Sequence, residues 1–176
     1  MDKEKLKQLI ELSDTLLNTK NINEAIKTAA KKIKNIIEVD RVTIFIYSQS
    51  SNMLWTYLAD GVEKLIIPAN KGIVGYVVQH KTIKKVNDTS NEPLFYKEVD
   101  EQTGYQTKNI LTLPLIGDDN KVIGVIQLLN KKDGKFTPKD INIANLFSNY
   151  ITPPLELLLS NKPNSFSIGD EDDYLI

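Results

Sequence analysis

A chain of 176 residues, 41% apolar and 26% charged, has the length and balance of one globular domain and is too apolar for a disordered segment. Its 22 Lys plus Arg offset 23 Asp plus Glu, a net charge of -1, so no basic excess is available for a polynucleotide, whereas a small phosphate ligand needs only a few local donors. The absence of cysteine removes disulfides, thiolate metal sites and thiol nucleophiles, and no run approaches the roughly 18 apolar residues of a membrane span. The charged start MDKEKLKQLIEL is no signal peptide, and a cytoplasmic location is expected.

Leu6, Ile10, Leu12, Leu16 and Leu17 recur at near-helical spacing, as do Ile22, Ala25, Ile26, Ala29, Ala30, Ile33 and Ile37, so two amphipathic helices open the chain. The break falls at Asn18 to Asn23, where Asn21 or Asn23 is placed to cap the second helix. Val42–Tyr47 and Met53–Ala59, rich in β-branched and aromatic residues around a polar turn, read as a hairpin. A short strand near Leu65 precedes Gly72-Ile73-Val74-Gly75, read as a glycine-rich turn into a helix, and another strand lies near Thr82 to Val86. His80, the only histidine, reads as a helix-end residue, since one His without Cys makes a poor metal site.

Residues 87–108 form a polar connection longer than the roughly 12 to 15 residues beyond which loops usually become functional or disordered. Ile110–Ile116 and Val122–Asn130 are apolar on both alternating faces and belong in the middle of a sheet. Thr137-Pro138-Lys139-Asp140 starts a helix with a Thr cap, and Pro153 and Pro154 are expected to end or kink it. The tail 161–176 is acidic and is expected to be flexible. This order lacks the alternation of parallel βαβ units, so the fold class is α+β, a mostly antiparallel sheet of about six strands with helices packed on it.

From about Asp40 to Leu159 the chain resembles the GAF domains of cyclic-nucleotide phosphodiesterases and bacterial adenylate cyclases. The resemblance is carried by Ile67-Pro68-Ala69 before Lys71-Gly72-Ile73-Val74-Gly75, by Pro93-Leu94-Phe95-Tyr96 and Val99-Asp100, by Thr103 to Leu111, and by Val122 to Lys131. It implies a GAF/PAS-like fold over residues 21–160; the amphipathic helix over 1–20 lies outside that core, and its apolar stripe is expected to dimerise. It also implies a signal-transducing module that binds cAMP or cGMP as ligand; composition, charge and the lack of a catalytic set add the expectation of no catalysis, no other cofactor, no nucleic acid and no membrane. Methionine sulfoxide reductases of similar fold depend on cysteines that this chain lacks.

The resemblance assigns purine and phosphate contacts to Tyr96, Asp100, Thr103 and Thr107, and phosphate-facing backbone amides to Ile73 and Val74. The chemistry suits these types: hydroxyls and helix N-terminal amides donate to phosphate, and a tyrosine closes over a base. Thr43 and Gln127 are further candidates because each interrupts an apolar strand, and Asp60 is the nearest acidic residue from the second strand. The family signature also implies a structural motif, Asn130, Lys131, Phe136 and Asp140, in which Lys131 and Asp140 form an internal ion pair; Ile141 replaces its final Glu. The rival expectation is a dimerisation module whose pocket is empty or holds another small molecule.

Overall fold

The computed structural model describes residues 3–59 and 65–161; Asp60 and the tail from residue 162 lie outside them. Two helices come first, α1 (Lys3–Leu17) and α2 (Ile22–Ile37), the second capped by the Asn21 side chain, which accepts from Asn23 N at 2.9 Å. Then follow β1 (Val39–Ser48), β2 (Met53–Ala59), β3 (Ile66–Pro68), α3 (Gly72–His80) and β4 (Lys84–Val86). The long connection is not shapeless: it holds a 3-10 turn at Thr89–Asn91 and a short helix, α4 (Glu98–Thr103). β5 (Ile110–Ile116), β6 (Val122–Lys131) and α5 (Pro138–Ser160) complete the order.

All strand pairs are antiparallel and form one six-stranded sheet in the order β3-β2-β1-β6-β5-β4. Alternation decides its two faces. Val42, Ile44 and Ile46 of β1, Leu111, Leu113 and Leu115 of β5, and Ile126 and Leu128 of β6 are buried with α1, α2 and α5 in the main core. The residues between them, including Phe45 and Val125, pack beneath α3, which brings Val74, Val77 and Val78. That second face carries the site.

α5 does not end at the prolines, the first of the two outcomes expected of them: it continues through Pro153 and Pro154 to Ser160. Its start is the capping box foreseen: the Thr137 hydroxyl accepts from Asp140 N, and the Asp140 side chain accepts from Thr137 N. No described helix is long and apolar enough to cross a membrane.

Candidate functional site

The face beneath α3 forms a cavity whose floor is the middle of the sheet. Arg41, Thr43 and Phe45 of β1, Gln127 and Leu129 of β6, and Ile110 of β5 line it from below. Thr43 and Thr112 lie on either side of Gln127 in the strand register, and Gln127 Nε2 donates to the fully buried Thr112 hydroxyl at 3.3 Å. A polar row thus crosses an apolar sheet, and the bond between Gln127 and Thr112 lowers the cost of burying those two.

One wall is the start of α3. No side chain caps this helix, so the amides of Gly72, Ile73 and Val74 have no intrahelical acceptor and concentrate positive potential at the cavity. Gly72 has φ +68°, and a Cβ there would come within 3.2 Å of the Tyr96 side chain; Gly75 would meet the backbone of Asn70 at 2.8 Å. Both positions therefore require glycine, which alone admits the positive φ without strain and the close approach of neighbouring chain. The Lys71 ammonium lies 5.9 Å from the centre of the Tyr96 ring, which leans over this corner.

The roof is residues 90–106, a lid whose ends are fastened to each other. The Thr89 hydroxyl donates to Thr107 O at 2.5 Å, and Thr89 N donates to Lys108 O at 3.1 Å. Within it the Asp100 carboxylate accepts from Thr107 N at 2.6 Å and from the Thr107 hydroxyl at 2.7 Å. Thr103 donates back to Val99 O at 2.8 Å. The two hydroxyls expected to serve a phosphate thus hold the lid's own shape.

Tyr105 closes the rim. Its hydroxyl donates to Asp40 at 2.7 Å and accepts from Asn130 Nδ2 at 2.8 Å, while the Arg41 guanidinium stacks 3.7 Å from the ring centre. Burial, then the hydrogen bond and charge of Asp40, raise the Tyr105 phenol above its ordinary value, so it remains a protonated donor. Arg41 and Tyr105 are functional candidates that the sequence reading passed over. Arg41 shares strand parity with Thr43, a signal that was present.

Thr43, Ile73, Val74, Tyr96, Asp100, Thr103, Thr107 and Gln127 all line this cavity, whereas Asn130, Lys131, Phe136 and Asp140 stand outside it, at the end of β6 and the start of α5. Asn130, with φ +56°, donates to Gln106 O and Tyr105 and accepts from Lys108 N and Asn109 N, which organises the lid's return into β5. Lys131 Nζ lies 3.4 Å from Asp140 Oδ1 and also donates to Ile37 O. Burial alone would raise the Asp140 carboxyl, but the hydrogen bonds from Thr137 and the Lys131 charge outweigh it and hold the group below its ordinary value.

The cavity measures about 80 Å³, against roughly 300–1,000 Å³ for small-molecule pockets. At this size it holds no ligand larger than a few atoms unless the side chains around it move. Among the described lining residues Arg41 and Lys71 outnumber the carboxylate of Asp100, whose oxygens are already engaged by Thr107, so this part of the lining suits an anion.

The description "GAF domain" matches residues 21–152. Over 83 residues the chain is 35% identical to the dual 3',5'-cyclic-AMP and -GMP phosphodiesterase 11A of Takifugu rubripes, covering 46% of this chain and 9% of that protein. Over 131 residues it is 28% identical to the probable 3',5'-cyclic phosphodiesterase pde-5 of Caenorhabditis elegans, covering 66% of this chain and 18% of that one. The chain thus spans less than a fifth of the length of either relative. The fold is also that of free methionine-R-sulfoxide reductase from Neisseria meningitidis, solved with its substrate, at 15% identity and a TM-score of 0.75 over 91% of this chain and 94% of that one. This fold therefore occurs in a reductase, and sequence similar to this chain occurs within much longer phosphodiesterases. With the family match covering most of its length, a six-stranded antiparallel sheet and a lidded cavity on one face, the chain belongs to the GAF-domain family.

Proposed function

We propose that this is a non-catalytic sensor domain that binds a cyclic nucleotide, cAMP or cGMP, under the 90–106 lid and passes the event on through its terminal helices. The observation that carries the reading is the uncapped α3 N-terminus, whose free amides and neighbouring Lys71 face a cavity closed by Tyr96. The phosphate belongs at those amides and the base toward Arg41 and Gln127, where the planar guanidinium and the amide offer hydrogen bonds. The activities for which the two phosphodiesterase relatives are named support the same ligand class. A cytoplasmic setting and a non-catalytic role accord with a chain devoid of cysteine.

Calorimetric titration with cAMP and with cGMP tests the reading. Saturable binding of either, with slowed amide exchange across 90–106, is the expected result. No heat from either at millimolar ligand rejects it in favour of the dimerisation module, which the small cavity favours.

The sensor is proposed to act as a homodimer. Leu9, Leu12 and Leu16 are consumed inside the monomer, yet Ile10 is 44%, Leu17 53% and Leu157 52% exposed. On α1, Leu6, Ile10, Ser13 and Leu17 follow 3-4 spacing, and Leu146, Tyr150, Pro153 and Leu157 repeat it on α5, which packs beside α1. Such a ridge fits a second copy in a four-helix bundle. Ile10→Lys with Leu17→Lys should convert a dimer at micromolar concentration into a folded monomer in sedimentation; a parent that is already monomeric counts against the interface.

A further inference from the structure

α5 contains two consecutive prolines and still runs from Pro138 to Ser160 as one helix. A proline inside a helix offers no N–H to the carbonyl four residues back, and its ring crowds that carbonyl. Pro153 and Pro154 therefore deprive Asn149 and Tyr150 of their ordinary donors. The two carbonyls are not equivalent. Asn149 and Pro153 are exposed, so water is at hand there, whereas Pro154 is buried.

The Tyr150 carbonyl is met from another helix: the Ser13 hydroxyl of α1 donates to it at 3.2 Å. Ser13 departs from the habit of its neighbours, since Thr15, Thr103, Thr152 and Ser160 each donate to the carbonyl four residues back in their own helix. On the sheet side, the Ser148 hydroxyl donates to Pro114 O of β5 at 2.9 Å. The turn of α5 that the prolines weaken is thus held from α1 and from the sheet.

We propose that α1 is a releasable splint on α5, in which Ser13 supplies the donor that Pro154 lacks. Docked, α1 keeps residues 155–160 in line with the rest of the helix; undocked, it leaves the Tyr150 carbonyl short of a partner and frees that segment. α1 precedes the family-matched residues 21–152 and residues 155–160 follow them, so the splint links the two flanks of the domain. The coupling is reciprocal, since whatever pulls on one helix alters the docking of the other. It operates whatever fills the cavity.

Hydrogen exchange on the full chain tests it. Ser13→Ala should quicken exchange in α1 and in 155–160 by about five- to ten-fold, with a Tm loss of about 2–4 °C, whereas Ser13→Thr keeps the donor and should stay within two-fold of the parent, roughly. In a Pro154→Ala background the N–H is restored, so Ser13→Ala should change exchange less than about two-fold. Pro154→Val, closer in volume, provides the same background should the alanine gap loosen the fold. Unchanged exchange in 155–160 on Ser13→Ala, or an equal effect in both backgrounds, overturns the proposal.

Discussion

Asp140→Asn should lower folding stability by about 3 kcal/mol, roughly 6–12 °C in Tm for a chain of this size. The substitution keeps the shape and removes the charge. Lys131 is then left almost buried, its side chain 12% exposed, facing only neutral oxygens, the Ile37 carbonyl and the asparagine amide, and a buried cation stripped of its counter-ion is among the costlier defects. The same carboxylate closes the capping box of α5, so the N-terminus of the longest helix loosens as well. Because Asp140 is held below its ordinary value, its contribution is present in full above the unfolded carboxylate range, near pH 4, and disappears as pH falls through the folded value. Denaturant melts of parent and variant should differ most at neutral pH and converge in acid. A gap that stays constant down to pH 2 would mean that the charge contributes nothing.

The second large effect concerns the lid. Asp100→Ala removes the acceptor of two hydrogen bonds, from Thr107 N and the Thr107 hydroxyl, both to a charged group and therefore stronger than neutral pairs. The lid should lose its ordered form, with faster amide exchange over 96–107 even without ligand, and affinity for the proposed cyclic nucleotide should fall by roughly ten- to a hundred-fold, because the loosened segment must be ordered again over the ligand. Thr107→Val keeps the backbone bond and loses only the hydroxyl, so its loss should be the smaller, about ten-fold. The order of the two variants separates two roles for Thr107. A hydroxyl that leaves Asp100 to serve a phosphate makes Thr107→Val the more damaging; one that serves the lid makes Asp100→Ala so. Calorimetry on both proteins, each checked for an unchanged melt, reads the order directly.

Periodicity in the sequence was enough to place the main helices and strands, because each buries a continuous apolar stripe that leaves its spacing in the residues. What it concealed were features with no period. α4 is six residues long with only Val99 as an apolar anchor, so nothing distinguishes it from a polar loop. Arg41 and Tyr105 meet across 64 positions, and neither residue type demands the other. The hydroxyls of Thr103 and Thr107 were legible as donors, but their acceptors depend on how the lid folds back on itself. Pro153 and Pro154 read as a stop or a kink because local chemistry says so; a serine on a different helix is what local chemistry cannot contain.

The fastening of Thr89 to Thr107 and Lys108 bears on how this domain can vary. With its two ends already joined, the segment between them behaves as an exchangeable cassette, and the strands on either side do not register its length. Lengthening a closed loop costs only the logarithm of its size, about 0.6 kcal/mol for a doubling. Rewriting 90–106 then reshapes the roof while the sheet keeps its sequence, and a chimaera that swaps this cassette between related domains has a ready-made seam, provided it keeps Tyr105, which is hydrogen-bonded to Asp40 and Asn130 outside the segment.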